Sequence, residues 1–70
     1  MGSVYKVIEI VGTSSDSWED AAQTAIVTAS KTLRDLRVAE VIKQDVTIGE
    51  DGLPEAFRVR LSVSFKYDSD

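Results

Sequence analysis

SSDSWEDAAQTAIVTASKTLR, residues 14–34, is the stretch on which the fold turns, because no other segment is long and periodic enough to make a full helix. Its apolar residues fall at Trp18, Ala22, Ala25, Ile26, Ala29 and Leu33, steps that hold one face on a 3.6-residue period. The opposite arc carries Glu19, Asp20, Gln23, Lys31 and Arg34. Ser14, Ser15, Asp16 and Ser17 offer N-cap oxygens. Glu19 and Asp20 bring negative charge to the first turn, and Lys31 and Arg34 bring positive charge to the far end, as the helix dipole favours. Ala21, Ala22, Ala25 and Ala29 thin one side of the helix, so a sheet can approach closely.

Strand signals flank this helix on both sides. Residues 4–11 are rich in β-branched side chains and largely apolar on both faces, which predicts a strand buried on both, or buried on one and covered by a neighbouring subunit on the other. Gly12-Thr13-Ser14-Ser15 then reads as the turn into the helix, its hydroxyls acting as caps. After the helix, residues 35–37 reverse the chain, with Leu36 tucked under the helix end. Residues 38–48 form a second strand whose parity slips: Ala39 and Val41 are apolar at odd positions, Val46 and Ile48 at even ones. Such a slip predicts a β-bulge, placed between Ile42 and Asp45. Gly49-Glu50-Asp51-Gly52 is a hairpin connection, and Pro54 falls where a strand start tolerates a missing N–H.

The last strand alternates most cleanly. Phe57, Val59, Leu61, Val63 and Phe65 form one face; Arg58, Arg60, Ser62, Ser64 and Lys66 form the other. Tyr67-Asp68-Ser69-Asp70 is a short acidic tail, expected to fray. The order β-α-β-β predicts an α+β fold in which a three-stranded antiparallel sheet wraps around one helix.

Seventy residues make a single domain, 1–70. A chain of this size buries only about 60% of its extended surface, and such domains gain stability by oligomerising when they lack disulfides or metals. There is no cysteine and no histidine, hence no thiolate, disulfide or imidazole. No strand carries a nucleophile beside a base and no phosphate loop is present, so the chain is read as a protein without enzymatic activity. A net charge of −4 and a pI of about 4.6 speak against nucleic acid as a partner. With no apolar run near membrane-spanning length and no signal-peptide pattern, the expectation is a soluble, cytoplasmic protein without a membrane partner.

The segments 4–14 (VYKVIEIVGTS), 17–22 (SWEDAA), 38–46 (VAEVIKQDV) and 57–65 (FRVRLSVSF) together resemble the dodecin family, over nearly the whole chain. The resemblance implies a small bacterial or archaeal protein whose sheet wraps its helix, and a homododecamer closed into a hollow shell of cubic 23 symmetry. It also implies flavin bound in pairs at subunit interfaces, for storage or buffering, and in some members coenzyme A or a phosphate near the threefold contacts.

The sequence departs from that flavin pattern at three positions. Val38 stands where the family stacks a tryptophan on the isoalloxazine, Arg58 where a glutamine bonds the ring's polar edge, and Lys43 where an acidic residue follows the tryptophan. A lost aromatic partner removes on the order of 0.5–1.5 kcal/mol beyond area burial. Trp18 does not replace it, since its helical phase places it with the core. Flavin is therefore not the expected ligand, and a flavin-binding dodecin with an altered pocket is the alternative. Without the flavin tryptophan, the chain is most similar to the calcium dodecin subgroup, a non-catalytic protein storing a small ligand or metal ion, with calcium the first candidate. Calcium takes six to eight oxygens, and no EF-hand loop is present to supply them. The resemblance leaves Glu40, Asp45, Glu50 and Asp51 as candidate ligands. Arg58 and Arg60 are assigned to a subunit interface, facing carboxylates such as Glu40, Asp45 or Glu55 of a neighbour.

Overall fold

The computed structural model describes residues 2–67; the acidic tail beyond Tyr67 lies outside them. Four elements follow in chain order: β1 (Tyr5–Ser14), α1 (Trp18–Ser30), β2 (Leu36–Ile48) and β3 (Pro54–Lys66). The strands form one antiparallel sheet in the order β1-β3-β2, so the cleanly alternating strand is the central one. The α+β architecture expected from the sequence is the one observed.

β1 runs three residues further than its β-branched content suggests. Gly12, Thr13 and Ser14 continue the ladder opposite Val59, Arg58 and Phe57 instead of turning the chain. Gly12 serves close approach: a Cβ there would run into the Ala21 carbonyl oxygen and come within 2.8 Å of the Ala25 methyl. Any side chain at this position would push α1 off the sheet.

The helix is shorter than its periodic stretch. Ser17 is the N-cap, its hydroxyl accepting from the Asp20 N–H at 3.0 Å. Ser14 belongs to β1, and its hydroxyl accepts from the Asp16 N–H and donates to the Asp20 carboxylate. At the other end Lys31 is the capping residue and Arg34 lies outside the helix, so the last turn carries no basic residue, contrary to expectation. The Ser30 hydroxyl donates back to the Val27 carbonyl at 2.6 Å, a local bond that competes with helical continuation. Asp35 then takes a left-handed conformation (φ 58°), which aspartate tolerates better than most residues, and turns the chain into β2.

Val59, Leu61 and Val63 of β3 are buried against Ala21 and Ala25, with Ile8, Ile10, Trp18, Ala22, Leu36 and Ala39 packed around them. The contacting face of α1 is thus rotated toward its alanines. Ala21, outside the expected apolar stripe, is wholly buried, whereas Ile26 within it is exposed. Leu36 packs beneath the helix as anticipated, although it already belongs to β2. The parity slip in β2 is a register shift between Val41 and Lys43, one step earlier than the alternation suggests, with further shifts between Leu36 and Val38 and between Thr47 and Ile48. At the turn, Gly49 N–H donates to the Leu53 carbonyl and Gly52 N–H to that of Gly49, with Gly52 at φ 80°. The hairpin and the start of β3 at Pro54 stand as read from the sequence.

Candidate functional site

Because Val59, Leu61 and Val63 face the helix, Arg58, Arg60, Ser62, Ser64 and Lys66 project from the opposite face of β3. Strand register fixes what stands beside them. Thr13 and Asp45 flank Arg58, Val11 and Lys43 flank Arg60, Glu9 and Glu40 flank Ser62, and Val7 and Val38 flank Ser64. The outer face is therefore banded across the strands: a mixed row, a basic row, an acidic row, then an apolar row.

Its shortest-bonded feature is an ion pair. Arg58 donates from Nε to Asp45 Oδ1 at 2.7 Å and from Nη2 to Oδ2 at 2.8 Å, the parallel two-bond arrangement a guanidinium makes with a carboxylate. Both side chains keep partial solvent contact, 44% for Arg58 and 33% for Asp45. The hydrogen bonds from Arg58 hold the Asp45 carboxyl below its ordinary value; burial opposes them as the next-largest effect, and the charges of Arg58, Lys43 and Arg60 each add a smaller lowering. The same bonds push Arg58 further into its charged form. From below, the Trp18 indole N–H donates to the Asp45 carbonyl at 3.1 Å, and its ring meets Phe57 edge-on with centroids 5.0 Å apart. Asp45 is thus held on both faces of the sheet, by its backbone within and its carboxylate without.

Arg60 approaches Glu9 at 3.7 Å, a looser pair between side chains more than half exposed. Both arginines find carboxylates in their own chain, where the sequence reading looked to a neighbouring subunit. For Arg58 the reason is register: the hairpin sets Asp45 directly opposite it. Glu9 went unnoticed because its link to Arg60 is diagonal across two strands, which only the β1–β3 register reveals.

The three altered flavin positions do not converge within one chain. Lys43 and Arg58 line a narrow crevice of about 30 Å³ with Val11, Asp45 and Arg60. Val38 is 62% exposed and pairs with Ser64, six residues from Arg58 along β3, or about 20 Å at strand rise. The four carboxylates considered for a metal are dispersed as well. Asp45 has both oxygens on Arg58, Glu40 stands opposite Ser62, and Glu50 and Asp51 sit on the hairpin turn, where Asp51 Oδ1 accepts from the Leu53 N–H at 3.0 Å. Among the described residues no three Asp or Glu side chains come together in a way that could hold a metal ion. Nor, among them, is any helix long and apolar enough to cross a membrane.

The sheet with its close-packed helix coincides with a known family: the dodecin family model matches residues 4–68. The chain belongs to the dodecin family. It is 50% identical over 64 residues to the calcium dodecin of Mycobacterium tuberculosis, covering 91% of this chain and 89% of that protein. It is 47% identical over 68 residues to the dodecin of Thermus thermophilus, covering 97% of each. The crystal structure of the M. tuberculosis calcium dodecin, described as a calcium-chelating antigen with a novel calcium-binding site, superposes with a TM-score of 0.84 at 47% identity over 97% of this chain and 96% of that one.

Proposed function

We propose that this dodecin is a non-catalytic binding and storage protein that works as a cytoplasmic homododecameric shell, each copy contributing one folding unit, and that its cargo is a metal ion, calcium first, in place of flavin. The Arg58–Asp45 clamp carries the reading. It occupies the place where the family resemblance puts the flavin's polar partner, and its two short bonds leave no neutral amide there to meet a ring edge. Val38, solvent-exposed and without an aromatic face, offers the ring nothing to stack on. The 50% identity to a calcium dodecin supports the choice of ion.

Within one chain the donor set does not fit a calcium site, since no three carboxylates converge among the described residues and Asp45 is already held by Arg58. A site with six to eight oxygens is then assembled where copies meet. Glu40 on the outer face is the carboxylate each copy brings to it. The Arg58–Asp45 pair, with Arg60 beside it, lies at a subunit contact as a neutralised unit.

Titration calorimetry with calcium on metal-stripped protein tests the ion, and quenching of riboflavin fluorescence tests the alternative. Saturable calcium binding with little quenching is the expected outcome. Submicromolar riboflavin binding by the unaltered protein would overturn it. The double change Val38→Trp with Arg58→Gln is expected to improve riboflavin affinity by roughly two- to tenfold, the worth of one aromatic stacking partner.

A further inference from the structure

β1 pairs with β3 only as far back as Phe57, and α1 starts where Trp18 meets that same Phe57. Beyond this line β2 and β3 continue alone, with Thr47 opposite Ala56 and Ile48 opposite Pro54, into the turn that ends at Leu53. The result is a two-stranded arm at one end of a molecule 54 Å long and no more than 20 Å across. Two strands without a covering layer are marginal in water, yet this arm is well formed, its turn closed by backbone bonds and by the Asp51 side chain. Its apolar side chains have nothing over them: Ile48 is 72% exposed and Leu53 61%. Around them stand Glu50, Asp51 and Glu55, with no cation paired to any of the three among the described residues.

The opposite end of the molecule has the complementary character. There a cleft of about 270 Å³ is lined by Lys6, Arg34, Lys66, Phe65, Tyr67 and Asp35. Lys6 lies over the Tyr67 ring at 5.8 Å, Tyr67 N–H donates to the Val4 carbonyl and Lys66 N–H to that of Asp35, so the cleft is held in shape by the chain itself. None of the three cations makes an ion pair among the described residues.

We infer that the hairpin arm of one copy docks into the basic, aromatic-floored cleft of the next, Leu53 against the Phe65 and Tyr67 rings and Glu50, Asp51 and Glu55 toward Lys6, Arg34 and Lys66. The occupant is a second copy of this chain, because its charge and apolar pattern match the cleft and because the arm lacks cover within its own chain. The two surfaces sit at opposite ends, so one copy cannot satisfy both. Such a heterologous contact repeats head to tail and ends either in a ring or in a filament. In a closed shell it closes as a ring.

This inference rests on the reading of the chain as a subunit of a closed assembly, and charge exchange separates the two. The arm is reversed with Glu50→Lys and Asp51→Lys, the cleft with Arg34→Glu and Lys66→Glu, and a fourth protein carries all four changes. Particle mass is followed by sedimentation on dilution, with far-ultraviolet dichroism and Trp18 fluorescence reporting that each subunit is folded. Each reversal is expected to raise the concentration at which the assembly dissociates by at least about tenfold, and the combined exchange to restore it to within roughly threefold of the parent, since only juxtaposed like charges repel so strongly. Leu53→Ser, which leaves all charges in place, is expected to weaken assembly in the same direction. Reversals that assemble like the parent, or an exchange no better than either reversal, would overturn the docking. So would inorganic phosphate binding, measured by calorimetry, that the cleft reversal abolishes without changing particle mass; the cleft would then serve a small anion. A parent protein that is monomeric throughout would instead remove the assembly reading itself.

Discussion

Residues one position apart on β3 are governed by different physics. Val59, Leu61 and Val63 are about 1% exposed and meet the alanine face of the helix, so what matters there is volume. Arg58 and Arg60 stand on the other face in partial contact with water, and what matters there is which carboxylate lies across the ladder. The inner face is specified by pattern alone, because any alternating apolar run will turn toward the nearest apolar helix. The outer face is specified by register, and a shift of one residue would give Arg58 a different neighbour. The two faces therefore answer differently to substitution and to pH.

The contrast is sharpest between adjacent residues. Leu61→Ala is expected to destabilise the fold by about 2–5 kcal/mol, the cost of a cavity in a filled core. Ser62→Ala, next along the strand on the outer face, is expected to stay within about 0.5 kcal/mol. Denaturant unfolding of the two variants at one protein concentration measures the difference. Similar costs would mean that the outer face is packed as tightly as the core.

Trp18 spans the comparison, since its ring packs within and its N–H holds the backbone of the residue that clamps Arg58. Trp18→Phe keeps a ring beside Phe57 and removes the donor, so the expected loss is about 0.5–1.5 kcal/mol, the net worth of one hydrogen bond. The same variant should leave Asp45 less firmly placed. This is read as faster amide exchange at Asp45 and its neighbours in β2 than at the buried stretch of β3.

Asp45 itself provides the smallest and most specific effect. Its carboxyl is held below the ordinary value of 3.8, chiefly by the hydrogen bonds from Arg58, so the folded state binds that proton less readily than the unfolded state. The stabilisation this confers is complete above the unfolded value and disappears as pH falls through the lower, folded one. A pH series of thermal unfolding should show this loss only on the acid side, and Asp45→Asn should flatten that part of the curve by lowering stability slightly at neutral pH, where the pair is intact, and leaving it unchanged at the acid end, where the pair is already lost. An equally steep acid limb in Asp45→Asn would place the pH sensitivity in other carboxylates.

Much of this molecule was legible before any coordinates. The β-α-β-β order, the inward set of β3, the hairpin at Gly49–Gly52, and the position of Trp18 beside the core all follow from periodicity and turn chemistry, which act over a few residues. Element ends were less legible, because local signals conflict there. Gly12 reads as a turn residue on its own and becomes a strand residue because Ala21 and Ala25 lie against it. Lys31 and Arg34 have the sign a helix end favours, yet Ser30 and Asp35 end the helix and redirect the chain before they can act there.

Charge pairing divides along the same line. That Arg58 and Arg60 needed partners was plain from three cations on one strand face, but a straight count back from the Ile48–Pro54 pair arrives at Gln44, and only the register shift between Thr47 and Ile48 brings Asp45 opposite Arg58. Glu9 as the second could not be counted at all, because β1 reaches β3 through the helix and no short turn sets their register. The sequence by itself determined which side chains seek cover and which seek charge, since those preferences belong to the residue. Only the tertiary structure decided which neighbour satisfies each, and that the arm beyond Phe57 has no cover within its own chain. Those outcomes depend on how far each strand runs past the next, and relative length is a property of the assembled sheet.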